Sequence, residues 1–323
     1  MKFSSFSVGG RSAYGVALSD DKIVDIRAAL TDSPDDLIGL IEMGDAGSEL
    51  IADLLDNTPE AAIISTSDIT WLPPIQRPGK ICGVAMNNSA SNERKISAPE
   101  HPAFFLKPSS CLIGHKQPVE VRSYYGSVHP EPELAVIIGS NARDVTAAEA
   151  TNHIFGYTIF DDITGNGMRS EDLFQYYALY SSDSDPAKLE RREQHLSYAG
   201  RYKGTDSFGA MGPWLVTRDE IPDPDNLGVT CKVGGEVVAE DSTRYYNYRV
   251  AEIVSFISQF QTLQPGDVIS CGTAFKPSAD RKSIHHANLQ KVDGPIEVSI
   301  EGLGTQENPV VRKQMDIGNW RLK

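Results

Sequence analysis

The sequence has 323 residues, with 30 lysines and arginines against 44 aspartates and glutamates, a formal charge of −14, and 40% hydrophobic residues. That charge repels phosphates at long range and works against a nucleic-acid-binding face. No run approaches the roughly 20 apolar residues of a bilayer-crossing helix, and Met1–Phe6 lacks a signal-peptide core, so the expectation is a cytoplasmic protein without membrane or nucleic-acid partners.

In chain order, Phe3–Val8, Tyr14–Leu18 and Lys22–Ile26 are short β-like runs at hairpin spacing. Ser33 reads as the N-cap of a helix with Pro34 at its first position, an apolar face of Leu37, Ile38, Leu40 and Ile41, and Gly44 at its end. Ser48–Leu55 repeats the helical pattern, and Trp71-Leu72-Pro73-Pro74-Ile75 is a proline-broken connector. Residues 1–75 thus read as a small α+β unit, and 76–323 as a larger one. In the larger unit, Ala103–Leu106, Leu134–Ile138, Tyr157–Phe160, Trp214–Thr217, Val229–Val233, Asp267–Ser270 and Ile296–Ile300 are strand-like. Thr146-Ala147-Ala148-Glu149 is a capping box that opens a helix expected to end before Gly156. A second helix is expected over Arg249–Phe260. The aromatic run Phe174–Tyr180 and the charged stretch Ser181–Gln194 form an insert near 170–200, read as a surface excursion or lid. The fold class is α+β and β-rich. No GxGxxG or P-loop is present. Cys82, Cys111, Cys231 and Cys271 are scattered in apolar contexts and read as reduced, buried residues.

The chemistry concentrates in His129-Pro130-Glu131-Pro132-Glu133. In extended chain, residues i and i+2 point the same way, so Glu131 and Glu133 face one side together. Parallel carboxylates repel unless a cation lies between them, and oxygen-only ligation suits Mg²⁺, Mn²⁺ or Ca²⁺. A third ligand is available at Asp161-Asp162, where an apolar strand closes on acidic residues that are costly to bury unpaired. A solvated strand edge and a turn would give the same letters.

Beyond the carboxylates, the chain resembles the fumarylacetoacetate hydrolase superfamily from Pro73 to Val310. The resemblance rests on Pro78-Gly79-Lys80-Ile81, Phe105-Leu106-Lys107-Pro108, Glu131-x-Glu133 running into Gly139, and Gly156-Tyr157-Thr158-Ile159-Phe160-Asp161-Asp162. It extends through Lys203-x5-Gly209-x2-Gly212-Pro213-Trp214 and Leu263-x-Pro265-Gly266-Asp267 with Gly272-Thr273. It implies mixed sheets rolled around the active site, preceded by a small N-terminal domain. It implies Glu131, Glu133 and Asp162 as ligands of a divalent metal, usually Mg²⁺. It also implies Lys203 as the active-site lysine, and Gly272 and Thr273 as contacts of a substrate carboxylate. The implied partners are a small oxo acid and a second copy in a homodimer.

Departures from the family pattern bear on the reaction. The family's hydrolases carry Asn-Tyr-x-x-His after the Lys-Ile strand, and its histidine activates water. Here Ser91 stands at that position. The family's substrate-contacting Arg and Gln are Asn166 and Arg169. A subgroup that dehydrates 2-keto-3-deoxy sugar acids also lacks the histidine, but its glutamate before the Phe-Phe-Lys strand is Ala103 here. Glu93, His285 and His286 are the candidates for a replacement base. The expectation is metal-dependent hydrolysis of a C–C bond in an acylpyruvate-like 2-oxo acid through an enolate. The alternatives are dehydration or decarboxylation at the same site, or an inactive homologue.

Overall fold

The computed structural model describes residues 1–275 and 287–315. Its main sheet has 13 strands. The continuous path runs Ile63–Ser65, Lys22–Asp25, Arg11–Ser19, Lys2–Val8, Leu215–Thr217, Ile154–Asp161, Pro132–Ile138, Val268–Thr273, Ile81–Ala85 and Ala103–Lys107. The N-terminal hairpins join the remainder through Lys2–Val8, where Phe3 pairs with Leu215. A four-stranded sheet, Glu236–Ser242, Gly228–Val233, Ile296–Ile300 and Gly304–Asn308, packs beside it. The architecture is α+β and dominated by strands.

Two apolar layers hold the main sheet. On one side Leu37, Leu40 and Ile41 from the helix Leu37–Glu42, with Ile51 and Leu54 from Asp45–Asp56, cover Phe3, Tyr14, Ala135, Ile137 and Val268. On the other side Val250, Ile253, Val254 and Ile257 of the helix Val250–Ser258 share a cluster with Leu134, Val136 and Ile269. The strand Pro132–Ile138 is buried along its whole length, which is why it reads as a continuous apolar run and not an alternating one. Each fully buried large side chain contributes about 1.5–3 kcal/mol. All four cysteines are buried free thiols. No helix among the described residues is long and apolar enough to cross a membrane.

One local expectation is corrected and two are sharpened. Asp36, not Ser33, caps the first N-terminal helix, its Oδ1 accepting the Gly39 N–H at 2.9 Å. The Ser33 hydroxyl instead donates back to the Leu30 carbonyl. The Thr146–Glu149 capping box forms, but its helix is only Ala147–Ala150, followed by a 3₁₀ turn, and the strand begins at Ile154. Gly156 lies inside that strand, where a Cβ would meet the Val216 carbonyl oxygen at 2.1 Å. Close approach of two strands explains this glycine. The insert is a regular antiparallel hairpin, Leu173–Ser181 with Leu189–Ser197.

Candidate metal and active site

Strand register assembles the site. Pro132–Ile138 pairs antiparallel with Ile154–Asp161, placing Pro132 opposite Asp161 and Glu133 opposite Phe160. On its other edge it pairs with Val268–Thr273, placing Glu133 opposite Thr273. The sequence separations of about 30 and 140 residues therefore collapse to one sheet end. There Glu131, Glu133 and Asp162 each offer a carboxylate oxygen, all within 4.8 Å of one another.

Each carboxylate is anchored differently. The buried Glu133 accepts from Ser270 Oγ and from the Gly272 N–H at 2.9 Å. Glu131 sits at the rim, with 18% of its side chain exposed, and its Oε1 lies 3.0 Å from His129 Nε2. Its Oε2 accepts from Lys203 Nζ at 2.8 Å. Thr273 Oγ1 lies 3.1 Å from both Glu131 Oε2 and Glu133 Oε1, sharing its single proton between them. Asp162 is sandwiched between two ammonium groups, Lys107 on Oδ1 and Lys203 on Oδ2. Asp161 turns away from this group, accepting the Glu131 N–H at 2.7 Å on Oδ1, and its buried Oδ2 has no hydrogen-bond partner among the described residues. Of the two adjacent aspartates, the geometry brings Asp162 to the glutamates.

The protonation pattern follows from this crowding. Burial pushes the Glu133 carboxyl up to about 8, with the Asp162 charge adding to it and Lys203 opposing. Burial also works to raise Glu131, but the Lys203 ammonium and the His129 hydrogen bond hold it well below the usual carboxylate range. Burial pushes Asp161 up to about 7. For Lys203 burial works to lower the pKa, yet Asp162, Glu131 and Glu133 together hold it above the ordinary lysine value. Clustered carboxylates, one of them driven to bind a proton, mark a position short of positive charge. An all-oxygen donor set of this kind fits a hard divalent cation, so Glu131, Glu133 and Asp162 are suited to hold one.

A cavity of about 320 Å³ opens over the rim. Glu131, Asp162, Lys203 and Thr273 line it, with Arg169, Ser91, Met86, Phe105 and Phe275 forming further wall. Lys203 arrives on the short helix Gly200–Gly204, its Nζ 5.3 Å from the Phe105 ring centroid. Arg169 comes from Asn166–Glu171 and lies over the Tyr202 ring. Asn166 does not line this cavity but a neighbouring groove that shares Arg169. The Gly272 N–H is spent on Glu133, and its φ of +105° with Asn87 Cβ 2.7 Å from any added Cβ makes glycine necessary. The Ser91 hydroxyl is buried and donates to the Asn88 carbonyl at 2.6 Å, so it closes a turn. Glu93 is exposed on the 3₁₀ segment Ser89–Arg94 and does not line the cavity. His285 and His286 lie outside the described residues.

Sequence reasoning missed two participants. Lys107 ends the strand Ala103–Lys107 and donates to both Asp162 and the Phe208 carbonyl. A lysine closing an apolar run was the available signal. His129, buried beside Glu131, was visible in the same peptide as the glutamates.

The family described as "Fumarylacetoacetate (FAA) hydrolase C-terminal" matches residues 80–311, most of the chain. The chain belongs to that family. Oxaloacetate tautomerase fahd2, mitochondrial, of Xenopus laevis is 29% identical over 299 residues, covering 92% of this chain and 85% of the relative. Human oxaloacetate tautomerase FAHD2A, mitochondrial, is 29% identical over 290 residues, covering 90% and 84%. Among solved structures, maleylpyruvate hydrolase from Sphingobium sp. SYK-6, in complex with manganese(II) ion and pyruvate, matches with TM-score 0.71 and 25% identity over 97% of this chain and all of that one. The 5-carboxymethyl-2-hydroxymuconate delta-isomerase from Mycobacterium smegmatis matches with TM-score 0.67 and 26% identity over the same shares. These homologues are enzymes that include tautomerases, a hydrolase and an isomerase, and an acidic triad able to take a divalent metal fits among them.

Proposed function

We propose that this protein is a divalent-metal-dependent enzyme that moves a proton on the enolate of a small 2-oxo acid, with keto–enol tautomerisation of an oxaloacetate-like dicarboxylate as its reaction. The observation that carries this reading is the cavity lining. Lys203 Nζ reaches it beside Glu131 and Asp162, while no histidine lines it among the described residues. Proton transfer at an enolate needs a charged acid–base group and no activated water.

When bound, the cation supplies a Lewis acid to the 2-oxo and carboxylate oxygens of the substrate. The protein's residues do the rest. Glu131, Glu133 and Asp162 hold the cation, and Ser270, Gly272 and Thr273 fix the glutamate oxygens so that they need little reorganisation. Arg169 takes the distal carboxylate at the cavity wall. Lys203 carries the mobile proton at Nζ, giving it to the carbon of the enol and regaining one from the enol hydroxyl as the C=C bond becomes C=O, so the exchange balances within one substrate. Positive charge on the shared carboxylates draws the Lys203 pKa back toward its ordinary value and makes that exchange easier. Val84, Phe105 and Phe275 keep the wall dry, which strengthens each of these charges.

The relatives named oxaloacetate tautomerase support this choice. Hydrolytic C–C cleavage of an acylpyruvate is the second reading, supported by the likeness to maleylpyruvate hydrolase. The test is a turnover screen on enol-oxaloacetate, acylpyruvates and 2-keto-3-deoxy acids, each with and without EDTA. EDTA-sensitive loss of the enol absorbance above the spontaneous rate is expected. Cleavage of acylpyruvates with no acceleration of enol-oxaloacetate would replace the first reading by the second.

A further inference from the structure

Two cavities meet at one side chain. Beside the active cavity of about 320 Å³ lies a second pocket of about 420 Å³. Among the described residues, only Ala85 and Met86 line both. Ala85 ends the strand Ile81–Ala85 and carries a single methyl group, so the half-exposed Met86 side chain is the wall between them. Met86 has φ +53°, a left-handed backbone that is unfavourable for a residue with a Cβ. Of the four non-glycine residues with positive φ among the described residues, it alone lines the active cavity. Strain of this kind persists only where neighbours impose it. Here the Met86 carbonyl accepts from Asn247 Nδ2 at 3.4 Å, and Ser91 Oγ lies 3.3 Å from it. Asn247 Oδ1 accepts from Asn92 Nδ2 at 2.9 Å, and Asn92 Oδ1 from Lys95 Nζ at 2.8 Å. A chain of polar contacts thus runs from a lysine of the second pocket to the backbone of the dividing residue.

We propose that Met86 is a specificity-determining residue that limits the site to short 2-oxo acids. With the thioether in place the active cavity ends at about 320 Å³, the low end of the roughly 300–1,000 Å³ of ligand sites. A short diacid is complete within it and turns its far carboxylate to Arg169. A longer 2-oxo diacid has to continue into the second pocket, and Met86 lies across that path. The chemistry beyond the wall suits such a chain. Lys95 lines the second pocket and no acidic side chain does among the described residues. Its walls are Pro99, Ala103, Tyr248 and His101, whose ring stacks on Phe256 with centroids 5.0 Å apart. An ammonium over apolar and aromatic walls recognises a carboxylate carried on a hydrocarbon chain. Methionine is flexible and yields in part, so the filter is graded. Size discrimination at an apolar wall is worth about tenfold or more.

The inference rests on the reading of the site as one for 2-oxo acids, and its test reads binding, not turnover. Calorimetric titration of the Mn²⁺-loaded protein compares 2-oxoglutarate with 2-oxopimelate, diacids of five and seven carbons. The wild type should bind the shorter acid more tightly. In Met86→Gly the ratio of the two dissociation constants should move about tenfold or more toward the longer acid. The Tm of this variant should hold or rise, because glycine adopts the left-handed backbone freely. Met86→Asn, also short and at ease there, should shift the ratio the same way, so the result does not hang on one variant. Adding Lys95→Met to Met86→Gly should remove most of the gain, since the far carboxylate loses its partner. A wild type without preference for the shorter acid, an unchanged ratio in both Met86 variants, or a gain that survives the loss of Lys95 would each overturn the proposal while leaving the 2-oxo acid reading intact. Failure of both acids to bind the metal-loaded wild type would overturn that reading and the length filter with it.

Discussion

Lys107 and Asp162 form an ion pair sealed from solvent on both sides, with side-chain exposures of 0% and 2%. The second Asp162 oxygen carries Lys203. One aspartate thus ties together a buried lysine that never reaches the cavity and one that does. Whatever loosens Asp162 disturbs both the core and the cavity wall.

Asp162→Asn should therefore be a stability variant as well as a metal-site variant. Leaving a buried ammonium unpaired costs about 3–5 kcal/mol. Urea denaturation is expected to show that loss for Asp162→Asn. Lys107→Met combined with Asp162→Asn should recover part of it, as a positive coupling in the double-mutant cycle. Additive effects would show that the two groups do not act as a pair.

Glu131→Gln should behave otherwise. This side chain sits at the rim, so the fold should persist while divalent binding and turnover fall together, because one of three anionic ligands is gone. Calorimetric titration with Mg²⁺ or Mn²⁺ checks this, and an unchanged dissociation constant would remove Glu131 from the ligand set.

Metal binding should release protons. Burial and the Asp162 charge push the Glu133 carboxyl from 4.5 up to about 8, so at neutral pH it is mostly protonated and must lose that proton to serve as a ligand. Affinity should rise about tenfold per pH unit below 8 and level off above. The same shift acts on stability. A carboxyl whose folded pKa is raised stabilises the metal-free fold below 4.5, and that contribution fades as pH climbs through about 8. The metal-induced rise in Tm should therefore grow across this window. Calorimetry in buffers of different ionisation enthalpy measures the released proton directly, and a heat independent of buffer would count against it.

Gly272→Ala should cost about 2–4 kcal/mol and weaken metal binding. The residue sits at φ +105°, an added Cβ would meet Asn87 Cβ at 2.7 Å, and its N–H holds Glu133. Thermal melts with and without divalent cation separate the two effects.

Lys203→Met should lower kcat by about 10²–10⁴, whereas Glu93→Gln should keep near wild-type rates, since Glu93 faces solvent away from the cavity. Steady-state kinetics on the same substrate compares them. Equal losses in both would return Glu93 to the list of bases.

The glutamate pair of the carboxylate cluster was legible because the signal is local. Glu131 and Glu133 stand two residues apart at the start of an apolar run, and the pleat of an extended chain turns them the same way whatever surrounds them. The strand-like runs Leu134–Ile138, Tyr157–Phe160 and Ile296–Ile300 were legible for a related reason, since apolar β-rich stretches bounded by turns leave few alternatives. The choice of Asp162 over Asp161 needed the family resemblance at the sequence level. In the structure it comes from register, because pairing Pro132 with Asp161 spends that aspartate on a backbone N–H and leaves the next one to face the glutamates.

What the sequence by itself determined is therefore the chemistry that neighbours in the chain can impose: an acidic pair on one face, an α+β pattern, buried cysteines and a short helix nucleated by Thr146 and Glu149. Which residues meet across the sheet was decided only by tertiary structure. Strand order brought Thr273 and Ser270 onto Glu133, set Lys107 against Asp162 and carried Lys203 over Phe105. Those partners lie between 55 and 140 residues apart in the chain. Composition and periodicity report local preference, while contacts at that range depend on sheet register, which is set by how whole apolar faces find cover.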